Sequence, residues 1–88
     1  MGKTVTEEFD VYPILHRGNV YNIITKLDLT FAEVRALIDR LADLRAFEET
    51  EEDLFMGPGK LFSLEIDNVR YDVDVQGFEV VVYTREEL

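Results

Sequence analysis

The 88-residue chain has no cysteine, and it contains one histidine and one serine. The absence of cysteine excludes disulfides, thiol chemistry and thiolate metal sites. His16 falls in a predicted turn, and Ser63 falls in a predicted strand with its side chain away from the core. A serine nucleophile needs a base within hydrogen-bond reach, and no feature of the sequence brings these two residues together. The sequence therefore predicts an exposed turn histidine, an ordinary strand serine and no enzymatic activity.

Basic residues are also scarce, with nine lysines and arginines against 19 aspartates and glutamates. The formal net charge of −10 repels nucleic acid and anionic membranes and attracts basic protein surfaces. Direct binding to nucleic acid or to a membrane is therefore not expected. The composition alone leaves open whether the acidity serves recognition or solubility.

No apolar run approaches the roughly 20 residues that a membrane-spanning helix requires. Residues 1–5 lack the apolar region of a signal peptide, which predicts a soluble, cytoplasmic protein. Hydrophobic residues make up 47% of the chain, a globular composition, and the length predicts a single domain over residues 1–88.

One amphipathic helix is predicted from residue 31 to near Phe47. Thr30 is a favourable N-cap, and Glu33 completes a capping box. Charges of alternating sign, including Glu33, occupy the positions between the apolar ones and indicate a solvated helix face without a functional role. The apolar positions recur at helical spacing and are Phe31, Val34, Leu37, Ile38, Leu41 and Leu44.

The last third of the chain has the period-two alternation of three antiparallel strands, at 61–67, 69–75 and 78–84. A two-residue loop at Asp67-Asn68 predicts that Ser63 lies opposite Asp72 and Glu65 opposite Arg70. A second loop, placed at Gln76-Gly77, sets a further register with apolar side chains on the inner face. That second register pairs Val75 with Phe78, Val73 with Val80, Tyr71 with Val82, and Asp74 with Glu79.

The first thirty residues are less sharply patterned. Residues 9–15 read as a strand that lies at an edge or bends, because it contains Pro13. Residues 20–27 fit either a short helix or a strand, and their β-branched and aromatic content favours the strand. An Arg17-Gly18 turn would then pair Leu15 with Val20. The predicted fold is a two-layer α+β domain in which a single helix covers one face of an antiparallel sheet of about five strands, in the order ββαβββ.

Two segments resemble ligand-binding motifs only in part. Residues 57–60 read Gly-Pro-Gly-Lys but lack the complete phosphate-loop pattern and precede a strand rather than a helix, so a plain turn is predicted. The acidic run at 48–53 lacks the residue order and the glycine of a calcium loop, and a solvated loop is favoured over a calcium site. No cofactor and no metal are predicted.

Two acidic patches are candidates for partner binding. The first is the loop that contains Glu49, Glu51, Glu52 and Asp53, beside Leu54, Phe55 and Met56. Those three apolar residues either enter the core, which is favoured, or leave Phe55 as an exposed anchor with a polar rim. The second patch lies on the solvent face of the C-terminal strands and consists of Glu65, Asp72, Asp74, Glu79 and Tyr83. Its charges either resist aggregation or form a recognition surface.

These features predict a small acidic protein-binding module that acts as an inhibitor or adaptor and engages a basic surface of a partner protein. If that surface normally binds nucleic acid, the carboxylates would stand in for phosphates. The analogy with phage-type anti-defence proteins and DNA mimics rests on size and charge, and no motif supports it. The alternative is a structural component that forms a homodimer through its sheet edge or its exposed sheet face.

Overall fold

The computed structural model describes residues 4–5, 9–47 and 59–88. Glu49, Glu51, Glu52, Asp53 and Phe55, which form the first candidate patch, lie outside the described residues. The elements are β1 (Thr4–Val5), β2 (Asp10–His16), β3 (Asn19–Thr25), α1 (Phe31–Asp43), β4 (Lys60–Ile66), β5 (Val69–Gln76) and β6 (Glu79–Glu87). The α+β fold with one helix over one sheet is confirmed.

The sheet has the strand order β1-β2-β3-β6-β5-β4. Neighbouring strands are antiparallel except β3 and β6, which run parallel. Parallel neighbours require a crossover, and here α1 lies in the connection between them. Residues 19–25 form a strand rather than a helix, and the predicted pairing of Leu15 with Val20 is confirmed.

The core lies between α1 and the inner face of the sheet. Val34, Leu37, Ile38 and Leu41 of the helix are fully buried. The strands contribute a second set of buried side chains, which includes Tyr12, Ile14, Tyr21, Ile23, Leu64, Tyr71, Val73, Val75, Val80 and Val82. Because alternate strand residues point to opposite faces, the remaining strand residues form the outer face of the sheet.

The helix begins as predicted and ends earlier than predicted. The Thr30 side chain accepts a hydrogen bond from the Glu33 backbone N–H, and the Glu33 carboxylate accepts one from the Thr30 backbone N–H. The helix stops at Asp43, so its predicted extension to near Phe47 is wrong. Arg45 takes a positive φ of 58°, a conformation typical of helix C-termini. The chain then turns, and the Phe47 ring packs 4.2 Å from the Tyr21 ring.

The Asp67-Asn68 hairpin has the predicted register, with Ser63 opposite Asp72 and Glu65 opposite Arg70. The second hairpin does not. Its loop is Gly77-Phe78, and Gly77 has a positive φ of 58°. One of the common two-residue hairpin turns has glycine at this first loop position. Val73 therefore pairs with Val82 and Val75 with Val80. The shift is two positions along β6, so the same valines still face the core.

One β-bulge interrupts the pairing of β5 with β6. Val73 lies opposite Val82, but Asp72 lies opposite Thr84, which leaves Tyr83 as the extra residue. A bulge changes which face the following residues point to. Arg85 is consequently opposite Tyr71 and points to the helix side of the sheet, where regular alternation would have placed it on the outer face.

Candidate partner-binding face of the sheet

The outer face of β4, β5 and β6 carries the second predicted patch. Glu65, Asp72, Asp74, Glu79 and Tyr83 all point to this face, as the alternation of buried and exposed positions shows. Tyr83 is 55% exposed. The strand register arranges the side chains in rows across the sheet. One row is Glu65, Arg70 and Glu86, and the next is Ser63, Asp72 and Thr84.

The next row across the sheet contains Asp74, and the residues of this row on β4, β6, β3 and β2 are apolar. Asp74 lies opposite Leu61 on β4 and opposite Val81 on β6. Val81 is in turn opposite Ile24, and Ile24 is opposite Val11. Leu61 is 76% exposed. This row therefore sets one carboxylate, Asp74, between apolar side chains of the neighbouring strands.

Glu79 is not the direct neighbour of Asp74 that the sequence predicted. Because the hairpin loop is displaced by one residue, Glu79 pairs with Gln76 on β5 and with Asn22 on β3. Asp74 and Glu79 are diagonal neighbours instead, a separation of roughly 7–8 Å between Cα atoms in antiparallel pairs. The two carboxylates are therefore not directly opposed in this hairpin.

Asp72 is the best-anchored carboxylate of the outer face. It accepts hydrogen bonds from Ser63 Oγ at 2.6 Å and from Thr84 Oγ1 at 2.9 Å. Arg70 Nε lies 3.6 Å from its Oδ1. The two hydroxyl hydrogen bonds, with a further contribution from Arg70, lower the pKa of Asp72 below its ordinary value. Asp72 therefore carries its negative charge in a fixed position.

Asp74 has fewer partners. The Tyr83 hydroxyl donates to Asp74 Oδ2 over 3.4 Å, a long hydrogen bond. Asp74 Oδ1 is shielded from solvent and has no hydrogen-bond partner among the described residues. Gly59 lies directly against this oxygen, since a Cβ added at Gly59 would come within 1.9 Å of it.

An open groove of about 570 Å³ runs beside these residues, and its lining includes Leu61, Ser63, Arg70, Asp72 and Tyr83. Leu61, Ile24 and Val11 were not assigned to a site from the sequence. A signal was present, because the predicted β2–β3 hairpin is apolar at successive positions and not only at alternate ones. Such a run indicates a strand with apolar side chains on both faces.

His16 and Glu33 differ from the sequence-based expectation. His16 is the last residue of β2 rather than an exposed turn residue, its side chain is 12% exposed, and its Nδ1 lies 3.7 Å from Asp39 Oδ1 of α1. Glu33 is not on a solvated face. Its Oε2 accepts hydrogen bonds from the Tyr71 hydroxyl at 2.8 Å and from Arg85 Nε at 2.7 Å.

Partial burial would raise the pKa of Glu33, but hydrogen bonds from Arg85, Tyr71 and the Thr30 backbone N–H outweigh burial and lower that pKa to about 2. Burial and the hydrogen bond to Glu33 raise the pKa of Tyr71. Hydrogen bonds to Glu33 and Glu87 raise the pKa of Arg85. This cluster lies on the helix side of the sheet and ties α1 to β5 and β6.

In the part of the chain that the structure describes, no helix has the length and apolar character needed to cross a bilayer. No group of three or more His, Asp or Glu side chains within 9–47 and 59–88 is arranged to hold a metal ion. Comparison of the chain with protein-family models, with curated proteins and with solved structures finds no match. Function must therefore be inferred from the geometry of the site itself.

Proposed function

We propose that the chain is a small acidic protein-binding module, an inhibitor or adaptor that engages a basic surface of a partner protein through the outer face of its sheet. The observation that carries this proposal is the shared orientation of Glu65, Asp72, Asp74 and Glu79 with the half-exposed ring of Tyr83. Interfaces characteristically combine aromatic anchors with polar surroundings.

The charge of the chain supports a cationic partner. At a formal net charge of −10, long-range attraction would accelerate association with a basic surface and would weaken as salt increases. Where the partner surface is one that binds nucleic acid, the carboxylates would occupy phosphate positions. This version of the proposal corresponds to phage-type anti-defence proteins and DNA mimics, and it puts the protein in the cytoplasm with its partner.

The geometry favours binding over catalysis. His16 packs toward Asp39 of α1, whereas Ser63 Oγ donates to Asp72 on the outer face. The sheet therefore separates the one histidine from the one serine, and a serine nucleophile without a base in reach is unactivated.

The test is capture of partner proteins from lysate by the immobilised full chain, at low and at high salt. The double variant Asp72→Lys with Asp74→Lys reverses two charges on the outer face. Asp28→Lys with Asp43→Lys changes the net charge equally at exposed positions away from that face. We expect basic proteins to be captured at low salt, released at high salt, lost with the first variant and kept with the second. Capture that ignores both salt and the outer-face variant would contradict the proposal, provided that circular dichroism shows the variant folded.

A second candidate function is assembly of a homodimer through the sheet. Leu15 and Val20 form a cross-strand pair on the outer face and are 54% and 48% exposed. Among the described strands β4 is last in the sheet order, so it offers an edge for pairing as well. Size-exclusion chromatography with light scattering distinguishes the candidates, because a stable dimer that is indifferent to salt favours assembly.

A further inference from the structure

Two neighbouring carboxylates of the outer face differ in how far their hydrogen-bonding capacity is used. Asp72 accepts from Ser63 and Thr84 at 2.6 and 2.9 Å. Asp74 has only the 3.4 Å contact with the Tyr83 hydroxyl at Oδ2, and its Oδ1 has no partner among the described residues. A carboxylate offers about four acceptor positions, and a shielded oxygen without a partner is costly. Asp74 Oδ2, which holds one long hydrogen bond, therefore has acceptor capacity to spare.

The cross-strand neighbours of Asp74 are apolar. Leu61 and Val81 lie directly opposite it on the two adjacent strands, and Ile24 continues the row beyond Val81. When a partner covers these side chains, water is excluded from the carboxylate as well. A charge-assisted hydrogen bond formed there is stronger than one formed in open solvent.

Resting on the proposed function, we infer that the partner presents an arginine flanked by apolar side chains, with Asp74 as the acceptor of that arginine. The guanidinium donates to Asp74 Oδ2 and stacks on the half-exposed ring of Tyr83. The flanking apolar side chains cover Val81 and Ile24. Arginine fits better than lysine because its planar, weakly hydrated group can donate and stack at the same time.

A second copy of this chain, packed outer face against outer face, does not supply an arginine that is still without an ion-pair partner. The arginine on the outer face, Arg70, already lies 3.6 Å from Asp72. Two outer faces brought together would also oppose two sets of carboxylates in a chain of net charge −10. The occupant is therefore a different protein whose contact surface is both apolar and cationic.

The test uses three fluorescein-labelled synthetic peptides and the full chain, with binding measured by fluorescence anisotropy. In the first peptide arginines alternate with leucines, in the second lysines replace the arginines, and the third is an oligoarginine of the same charge. Asp74→Asn removes the charge of the proposed acceptor at nearly constant shape. Asp43→Asn is the matched control on α1, and Val81→Thr makes the apolar row more polar while keeping a β-branched side chain.

We expect the arginine–leucine peptide to bind most tightly, and Asp74→Asn to weaken its binding about tenfold or more, while Asp43→Asn leaves it unchanged. Val81→Thr should weaken the same peptide and leave oligoarginine binding unaltered. If oligoarginine binds equally well and Asp74→Asn matches Asp43→Asn, the inference is wrong, although engagement of basic surfaces still stands. If no peptide binds at low salt, both the inference and the proposed function fail. A dimer that Val81→Thr dissociates would assign the face to a second copy and overturn the inference.

Discussion

Arg85 Nε donates a 2.7 Å hydrogen bond to Glu33 Oε2, which links β6 to the first turn of the helix. The link depends on the bulge at Tyr83, because the extra residue turns Arg85 to the helix side. The same bulge brings Thr84 to the outer face, where its hydroxyl donates to Asp72 Oδ2 at 2.9 Å. One irregularity of β6 thus serves both the packing of the helix and the candidate binding face.

Glu33→Gln is expected to destabilise the protein at neutral pH and to matter less in acid. The folded-state pKa of Glu33 is about 2, below the ordinary value of 4.5. Its ionised form therefore stabilises the fold above pH 4.5, and this contribution disappears as the pH falls toward 2. Because Glu33 is partly exposed and solvent screens its charge, we expect the substitution to lower the free energy of unfolding by about 1–2 kcal/mol at pH ~7. Urea unfolding of both proteins at several pH values measures this difference in the free energy of unfolding.

The control for this prediction is Glu79→Gln, which neutralises an exposed glutamate on the outer face. Its effect should stay within about 0.5 kcal/mol. A double-mutant cycle between Glu33→Gln and Arg85→Ala should give a favourable coupling free energy that exceeds the error of the measurement, since the two side chains are in direct contact. Additive effects of the two substitutions would show that the ion pair does not contribute to stability.

The elements that the sequence predicted correctly are local ones. The capping box of α1 involves residues three positions apart, and the Asp67-Asn68 hairpin is determined by its loop and by the alternation around it. The parallel pairing of β3 with β6 was not predicted, because it joins residues far apart in the chain and has no local pattern. The bulge was not predicted either, since Val82, Tyr83 and Thr84 all have side chains that fit a regular strand.

The candidate face could be predicted in composition but not in detail. Alternation placed Glu65, Asp72 and Asp74 on one side of the sheet, and the structure agrees. The neighbours of Asp74 depend on the hairpin register. When the loop is Gly77-Phe78 instead of Gln76-Gly77, the paired valines of β5 have partners two positions further along β6. The buried face is the same in both cases. The hydrophobic pattern is the same for both loops and therefore does not distinguish the two registers.

Thr30→Ala is expected to lower the free energy of unfolding by about 1 kcal/mol, because it removes the acceptor for the Glu33 backbone N–H. Thr30→Ser keeps that hydroxyl and should cost much less. Thermal unfolding followed by far-ultraviolet circular dichroism measures both. Equal losses in the two variants would show that the methyl group of Thr30, and not its role as N-cap, is what stabilises the helix.

His16→Phe is expected to leave stability unchanged or to raise it. Both ring nitrogens of His16 are buried and lack a hydrogen-bond partner among the described residues, although Nδ1 lies 3.7 Å from Asp39 Oδ1. An apolar ring of similar shape removes these unsatisfied atoms at little cost in packing. His16→Ala instead empties the space and should cost about 2 kcal/mol. If phenylalanine is as damaging as alanine, the nitrogens have a stabilising role that the geometry does not show.

Gly59→Ala is expected to destabilise the protein by about 1–3 kcal/mol, because the new methyl group has no space. A Cβ at this position would come within 1.9 Å of Asp74 Oδ1 and 2.5 Å of Gln76 Cγ. The substitution should also displace the Asp74 carboxylate from Tyr83 and weaken binding of the arginine–leucine peptide. Chemical unfolding and peptide anisotropy on the same sample measure both effects.

Asp74→Ala in the Gly59→Ala background separates the two contacts of the added methyl group. Removal of the carboxylate opens space for that methyl group and eliminates the shielded Oδ1, which has no partner among the described residues. The double variant should therefore be more stable than the sum of the two single effects predicts, by roughly 0.5–3 kcal/mol. The rescue should be incomplete, because Gln76 Cγ still lies in the way. Strict additivity would mean that Asp74 does not pack against Gly59, and the shielding of its Oδ1 from solvent would then require a different cause.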